Sequence, residues 1–277
     1  MRLIAVLLVV LLGGTGFFLL TPEGRQLIDR ARIYWKRAEH QALYRSGQKL
    51  PGTPDLARFD ERLSALGISP GAPVFIRIFK LESELELWVE KDGRFVRFAT
   101  YPICLWSGRL GPKIREGDRQ APEGFYTVAS EQLNPNSRWH RSFNLGFPNA
   151  FDRAHGRNGS FLMVHGGCGS IGCYAMTDPV VDEIWRMVTA ALDKGQPRFA
   201  VHAFPFRMTG RNMLLRRGHP WESFWANLKE GYDLFEETRL PPMVSVCNGR
   251  YAFARGSAGS VIPEVGERCP PEIASGP

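Results

Sequence analysis

A histidine and a cysteine lie eight residues apart in a glycine-rich stretch that runs from Val164 to Met176. The four apolar residues before His165 are typical of a short buried strand. The glycines that follow allow a tight loop, which can fold Cys173 back against the imidazole. Because the thiolate is the nucleophilic form of cysteine, a neighbouring histidine is the usual activator. We therefore interpret Cys173 as the nucleophile and His165 as the base of an acyl-transfer enzyme.

The same loop offers groups for the charged intermediate of acyl transfer. The backbone N–H groups of Gly172 and Cys173 are candidates for an oxyanion site, and the absent side chain of Gly172 lets a substrate carbonyl approach closely. Ser170 is a candidate for orienting His165 or contacting substrate, and a turn-stabilising hydroxyl is the alternative. A papain-like protease is disfavoured, because that class places its histidine far downstream of its cysteine.

The chain has an odd number of cysteines, five in all: Cys104, Cys168, Cys173, Cys247 and Cys269. In an exported protein this leaves at least one free thiol, for which Cys173 is the candidate. Cys247 and Cys269 either form a disulfide or stay free. Cys168 lies close enough in sequence to predict a redox lock, in which a bond to Cys173 silences the nucleophile. Zinc is possible through Cys168, Cys173 and His165, but no second ligand cluster supports it, so we expect no metal and no cofactor.

The first twenty residues bear on the compartment. Leu3 to Leu20 is an uncharged run of 18 residues, typical of a signal peptide or a membrane anchor. Since no convincing cleavage site follows, we predict an uncleaved anchor, with secretion after cleavage as the alternative. The basic flank disagrees, because the positive-inside rule favours a cytoplasmic location for Arg25, Arg30, Arg32, Lys36 and Arg37. The net charge of +7 is spread among acidic residues, which argues against a nucleic-acid partner.

The elements that position the two reactive residues follow from helix-start signals and apolar alternation. Thr21-Pro22 and Thr53-Pro54-Asp55 each predict the start of a helix ahead of the domain. Period-two patterns predict an antiparallel meander and three later strands, at 74–79, 85–89, 95–101, 124–129, 161–165 and 199–204. Asp178 predicts the N-cap of a helix over 179–192. An aromatic stripe over 221–238 predicts a packed helix, with substrate stacking as the alternative, and a hairpin over 244–254 follows.

We therefore expect a mainly β (α+β) fold with one packed helix, an N-terminal membrane helix and a C-terminal helix and hairpin extension. The predicted boundaries are a membrane helix at 1–21, helices and linker at 22–70, a catalytic domain at 71–205, a packed extension at 206–260 and a loose tail at 261–277.

Two motifs resemble those of the L,D-transpeptidases with a YkuD-type catalytic domain. Ser170-Ile171-Gly172-Cys173 matches the Ser/Thr-x-Gly-Cys signature of that family, and Ala121 to Tyr126 resembles the segment that leads into one of its core strands. The resemblance implies a β-rich fold, a Cys173 nucleophile, a His165 base, and peptidoglycan stem peptides cut at meso-diaminopimelate. It also implies a periplasmic domain, since that substrate exists only outside the inner membrane. Candidate substrate contacts are Gly166, Arg119 and Tyr126.

The chain departs from the common pattern of the family in three ways. The histidine lies closer to the cysteine, Ile171 replaces a second histidine, and Ala175 stands at a basic or amide position. This compact form resembles the YafK-like branch, which includes presumed transpeptidases and enzymes that detach a lipoprotein from peptidoglycan. Transfer and hydrolysis differ only in what attacks the thioester second. The expected partners are stem peptides, a wall-linked lipoprotein and the inner membrane; a non-catalytic envelope or wall-binding module is the competing class.

Overall fold

The computed structural model describes residues 21–269, and two five-stranded sheets form its centre. The helices are α1 (Pro22–Arg45), α2 (Phe59–Leu66), α3 (Ala150–Ala154), α4 (Asp178–Asp193), α5 (Gly210–Leu214) and α6 (Glu222–Thr238). The strands are β1 (Val74–Phe79), β2 (Glu84–Lys91), β3 (Arg94–Pro102), β4 (Leu105–Trp106), β5 (Gly124–Ala129), β6 (Leu133–Ser137), β7 (His140–Asn144), β8 (Met163–His165), β9 (Tyr174–Ala175), β10 (Arg198–Phe204), β11 (Met243–Cys247) and β12 (Arg250–Ala254). The expected β-rich α+β architecture is confirmed.

The first sheet contains the predicted meander and has the strand order β3-β2-β1-β10-β5. Strands β1, β2 and β3 pair antiparallel, while β1 and β10 pair parallel. Every residue of β1 is buried, which fits its run of apolar side chains in the middle of a covered sheet. Most of the buried apolar side chains of this sheet belong to the same hydrophobic core as those of the second sheet.

The second sheet carries the reactive residues and has the strand order β4-β9-β8-β7-β6. Its central pair, β8 and β9, is parallel, with Val164 opposite Tyr174 and His165 opposite Ala175. The predicted strand over 161–165 is confirmed only in its second half, because Phe161 takes a left-handed φ of 53° and Leu162 is not in a strand. The glycine-rich loop therefore connects two adjacent parallel strands.

Helix-start signals were accurate, with one exception. The hydroxyl of Thr21 accepts a hydrogen bond from the Gly24 N–H, and α1 begins at Pro22 as predicted. Asp55 caps a 3-10 turn, Leu56–Arg58, that leads into α2. The cap predicted at Asp178 is wrong: Thr177 is the N-cap of α4, and the carboxylate of Asp178 accepts a hydrogen bond from the Gly167 N–H instead.

The packed helix predicted within the catalytic domain and the packed helix predicted over 221–238 are both present, as α4 and α6. Trp225 and Phe235 of the aromatic stripe are fully buried, so the stripe packs on the domain and does not present a stacking surface. The hairpin of β11 and β12 is confirmed.

Two disulfides join Cys104 to Cys168 and Cys247 to Cys269, and Cys173 is the free cysteine. The predicted Cys168–Cys173 lock is therefore wrong, because Cys168 already has a partner upstream of β4. The predicted membrane span at 3–20 lies outside the described residues. Among residues 21–269, no helix combines the length and apolar character that a membrane crossing requires.

Candidate active site

Strand pairing brings the two predicted reactive residues together. His165 ends β8, and Cys173 directly precedes β9, the parallel neighbour of β8. The histidine is 1% exposed and the cysteine 7% exposed, so both lie at the bottom of the loop that joins the strands. His165 pairs with Ala175, two residues after Cys173, so the imidazole and the thiol lie on the same pair of adjacent strands, as a candidate base and nucleophile.

The imidazole of His165 is held in one tautomer. Its Nδ1 lies 2.5 Å from the carbonyl oxygen of Gly166, which can only accept, so Nδ1 carries the proton. In the neutral ring Nε2 is then the free base. Burial lowers the pKa of His165 below its usual value, while the bond to Gly166 opposes the shift. The ring is therefore neutral near pH 7 and able to accept a proton.

The thiol of Cys173 is held in its protonated form in the resting site. Its Sγ lies 3.5 Å from the carbonyl oxygen of Phe161, to which the S–H can donate. Burial raises the pKa of the Cys173 thiol, and the Met163 backbone and the charge of Lys113 only partly offset this. A neutral thiol beside a neutral imidazole predicts that the proton moves during attack, not before substrate binds.

Two serine hydroxyls fix the backbone on which Cys173 sits. Ser107 Oγ accepts from the Gly172 N–H at 2.9 Å and lies 2.7 Å from Ser170 Oγ. Ser170 Oγ accepts from the Cys173 N–H at 3.0 Å and donates to the Cys173 carbonyl at 2.7 Å. Since the Ser170 proton is used in that bond, Ser107 donates to Ser170. The two hydroxyls form one continuous network beneath the nucleophile.

This network changes the roles predicted for two residues. Ser170 contacts the backbone of Cys173 and not His165, so the alternative, a turn-stabilising hydroxyl, is the one that the structure shows. The N–H groups of Gly172 and Cys173 each donate to a serine hydroxyl. They can donate to an oxyanion, as predicted, only if those hydrogen bonds break. Gly172 itself has a φ of 102°, a conformation that favours glycine.

The first glycines of the loop are held by a tryptophan and a carboxylate. Trp139, at the turn between β6 and β7, has its ring 5.8 Å from the His165 ring. A side chain at Gly167 or Gly169 would press on that indole, at 3.2 and 3.3 Å. Asp178 Oδ1 accepts from the Gly167 N–H at 2.7 Å. Trp139 therefore covers the loop, while Asp178 anchors it to the start of α4.

The three predicted substrate contacts differ in their exposure and in their partners. Gly166 is buried, donates its N–H to the Arg141 carbonyl and orients His165, so it supports the base and does not face substrate. Tyr126 is 1% exposed, with its hydroxyl near Asp152, and does not line the site. Arg119 is exposed and directly precedes Gln120, whose carbonyl oxygen lies 3.7 Å from the position of a Cβ on Gly172. Of the three, only Arg119 is available to a ligand.

The sequence did not predict the roles of Ser107 and Trp139. It also did not predict the bond of Cys104 to Cys168 or the hydrogen bond between Asp178 and the Gly167 N–H. Ser107 and Cys104 lie more than sixty residues before Cys173, with no local motif around them. Phe161 was predicted as part of a buried strand and Ile171 as the replacement of a histidine, yet their side chains are 72% and 78% exposed. The Phe161 carbonyl lies 3.5 Å from Cys173 Sγ, and Ile171 is two residues before Cys173.

The side chains of this loop do not support the zinc site that was considered for it. Cys168, one of the three zinc ligands considered, is bonded to Cys104 and has no thiolate to offer. Between residues 21 and 269, no three His, Cys, Asp or Glu side chains gather in a way that would hold a metal ion.

Comparison with known proteins identifies the family of the chain. Residues 74–203 match the family described as YkuD, the L,D-transpeptidase catalytic domain. The chain is 51% identical to the Escherichia coli K12 protein named "Putative L,D-transpeptidase YafK" over 192 residues, 69% of this chain and 78% of that protein. The protein of the same name from Escherichia coli O157:H7 gives the same values. Among solved structures, the helical cell shape determining protein Pgp2 from Campylobacter jejuni is 20% identical, with a TM-score of 0.39 and with 65% of this chain and 68% of that chain covered. The chain belongs to the L,D-transpeptidase family with a YkuD-type catalytic domain and resembles YafK within it.

Proposed function

We propose that this protein is a cysteine acyltransferase that acts on peptidoglycan stem peptides at meso-diaminopimelate. The observation that carries the proposal is the free, buried thiol of Cys173 at one end of a loop whose other end is His165, with Nδ1–H of His165 bound to Gly166 and Nε2 left as the base. Family membership indicates the class of substrate. The tautomer of His165 indicates that the proton moves from the Cys173 thiol to Nε2.

The reaction follows from these two side chains. As Cys173 Sγ attacks the carbonyl carbon at the L-centre of meso-diaminopimelate, His165 Nε2 takes the thiol proton. The C–N bond of the tetrahedral intermediate then breaks, His165 returns the proton to the leaving amine, and a thioester remains. An amine that attacks this thioester gives a cross-link or a protein attachment, and water gives hydrolysis.

Arg119 is the side chain that we assign to the anionic part of the stem peptide. Its guanidinium is exposed and forms no ion pair within residues 21–269, and its backbone adjoins the Gln120 carbonyl next to Gly172. Arg157 is excluded from this role, because it is buried against Asp152 with a 2.9 Å salt bridge. Arg119 therefore offers an exposed cation to a carboxylate near Cys173, on the Gln120 side of the loop.

Localisation belongs to the same proposal. We place the catalytic domain in the periplasm, tethered to the inner membrane by residues 3–20. Two disulfides within residues 21–269 support an oxidising compartment. A reporter fused after residue 277 tests this placement: only a reporter that is active outside the cytoplasm agrees with it.

The central test is the mass of the enzyme and of its products. Full-length protein in detergent is incubated with a disaccharide tetrapeptide, with and without an amine acceptor, and with a lipoprotein-linked muropeptide. We expect an acyl adduct on Cys173 and a cross-linked product. Adduct and products must disappear in Cys173→Ala, and in His165→Gln the rate should fall about 10²- to 10⁴-fold, the usual contribution of a general base.

Each outcome of that test selects one function. Released lipoprotein without cross-linked product identifies the hydrolase of the same family, acting through the same thioester. An absent adduct in correctly folded protein identifies a non-catalytic wall-binding module and refutes the acyltransferase.

A further inference from the structure

Helix α1 has an exposed apolar face that the catalytic site does not explain. Leu27, Ile28, Tyr34 and Trp35 are 45%, 36%, 66% and 70% exposed. At 100° per residue these side chains fall on one side of the helix, together with exposed alanines at 31, 38 and 42. A soluble helix normally turns such a stripe toward the core, so this face needs a partner.

The opposite side of α1 is fully committed to the domain. Ile33 is 4% exposed and belongs to the main core, and His40 Nδ1 donates to the Ile103 carbonyl at 2.8 Å. Arg37 donates to the Gly108 carbonyl and stacks 4.0 Å above the Trp106 ring. Asp29 forms a salt bridge with Arg216. The helix therefore cannot rotate to bury its apolar side.

Charge and aromatic content identify the kind of partner. Tyr34 and Trp35 are the residue types enriched where a membrane meets water. Arg30 borders the stripe on one side together with Glu23, whereas Arg25 and Arg32 border it on the other together with Glu39, and none of the five forms a salt bridge within residues 21–269. The borders carry three positive and two negative charges, a net charge of +1, and their arginines suit anionic lipid headgroups.

The start of α1 has ordinary N-cap geometry, which lets the chain enter the helix from a new direction. Thr21 has φ −96° and ψ 148°, so the backbone is extended immediately before Pro22, and α1 begins there as a new helix. The uncharged sequence from Leu3 to Leu20 ends one residue earlier. The chain can therefore change direction between an apolar segment and a helix of about 36 Å.

We propose that α1 lies flat on an anionic membrane surface, with Leu27, Ile28, Tyr34 and Trp35 inserted at the level of the headgroups. This contact gives the basic flank a lipid partner, so the flank no longer argues for a cytoplasmic domain. Because the other side of α1 is fixed to the domain, the contact also fixes the orientation of the catalytic domain relative to the membrane.

The test measures contact between Trp35 and lipid in the full chain. The protein is reconstituted into vesicles of zwitterionic and anionic phospholipid, 7:3, in which part of the lipid is brominated on the upper acyl chain. We expect brominated lipid to quench the tryptophan emission, and Trp35→Phe to remove most of that quenching. Trp139→Phe is the matched control, since Trp139 is 37% exposed but lies at the catalytic loop, and it should leave the quenching unchanged.

Two results overturn the proposal. One is quenching that is equal in wild type and Trp35→Phe, which would place Trp35 away from lipid. The other is a Trp35 emission that ignores brominated lipid but shifts to the blue with protein concentration, which would show a second copy on this face. The measurement needs no turnover, so its outcome is independent of whether the enzyme transfers or hydrolyses.

Discussion

The disulfide between Cys104 and Cys168 ties the glycine-rich loop to the segment before β4, and its removal tests how that loop is held. Cys168 has a left-handed φ of 39°, and its N–H donates to the Met176 carbonyl. The bond joins positions 64 residues apart, so in the chain-entropy model its loss lowers the free energy of unfolding by about 4 kcal/mol. The sulfurs are buried among leucines, and alanine is therefore the better replacement than serine.

The chain offers a matched control in its second disulfide. Cys247–Cys269 closes a separation of 22 residues far from the loop in sequence, and its loss should lower the free energy of unfolding by about 3 kcal/mol. Urea unfolding measures both double alanine variants, and intact-protein mass measures the rate of the Cys173 adduct without urea. We expect the rate to fall at least about 10-fold only when Cys104 and Cys168 are replaced, a displacement cost that such geometry commonly carries. Equal adduct rates in the two variants would refute the reasoning.

Three further predictions concern the site itself. Ser107→Ala leaves the Gly172 N–H without its acceptor and should slow formation of the Cys173 adduct about 10-fold, while Ser107→Thr should keep the rate. An unchanged adduct rate in Ser107→Ala would contradict the role of the serine network. Gly166→Ala places a Cβ 2.5 Å from a carboxylate oxygen and should lower the free energy of unfolding in urea by about 1–3 kcal/mol. Gly210→Ala is the control, because its Cβ meets nothing within 4 Å and the free energy of unfolding should not fall. An equal loss of stability in the two variants would contradict this prediction. Iodoacetamide should alkylate Cys173 faster as the pH rises past 9, because burial raises the thiol pKa; a plateau near neutral pH would show a preformed ion pair.

The fold was predictable where a strand or helix carries its own signal. The strands β1, β2 and β3 alternate apolar residues around a Lys91-Asp92-Gly93 turn, and α1 begins at the threonine and proline that announce it. Strand β6 carries no such signal, since its sequence is Leu-Asn-Pro-Asn-Ser and its middle residues are exposed. The two-residue strands β4 and β9 are too short for any period. Parallel pairing of β1 with β10 is a long-range choice that local sequence does not encode.

The candidate site divides in the same way. His165 and Cys173 lie at the two ends of one loop, so a local motif revealed both, and that loop joins the parallel pair β8 and β9. The predicted substrate contact at Tyr126 is wrong, because likeness to a family segment does not tell whether a side chain points into the core or toward solvent. Asp178 carried a true cap signal, but the Gly167 N–H competes for the same carboxylate and is the donor that binds it. Ser107 was missed because hydroxyl networks form between segments distant in sequence.

The support of the nucleophile extends beyond the region that matches the family. That region begins at residue 74, yet His40 and Arg37 of α1 hold the carbonyls of Ile103 and Gly108 on either side of β4. Ser107 lies within this clamped segment and bonds the Gly172 N–H, one residue from the thiol. A displacement of α1 therefore has a short physical route to Cys173: two backbone carbonyls, one hydroxyl and one amide. Because the outer face of the same helix is apolar and bordered by arginines, the surface that binds that face also bears on the geometry of the nucleophile.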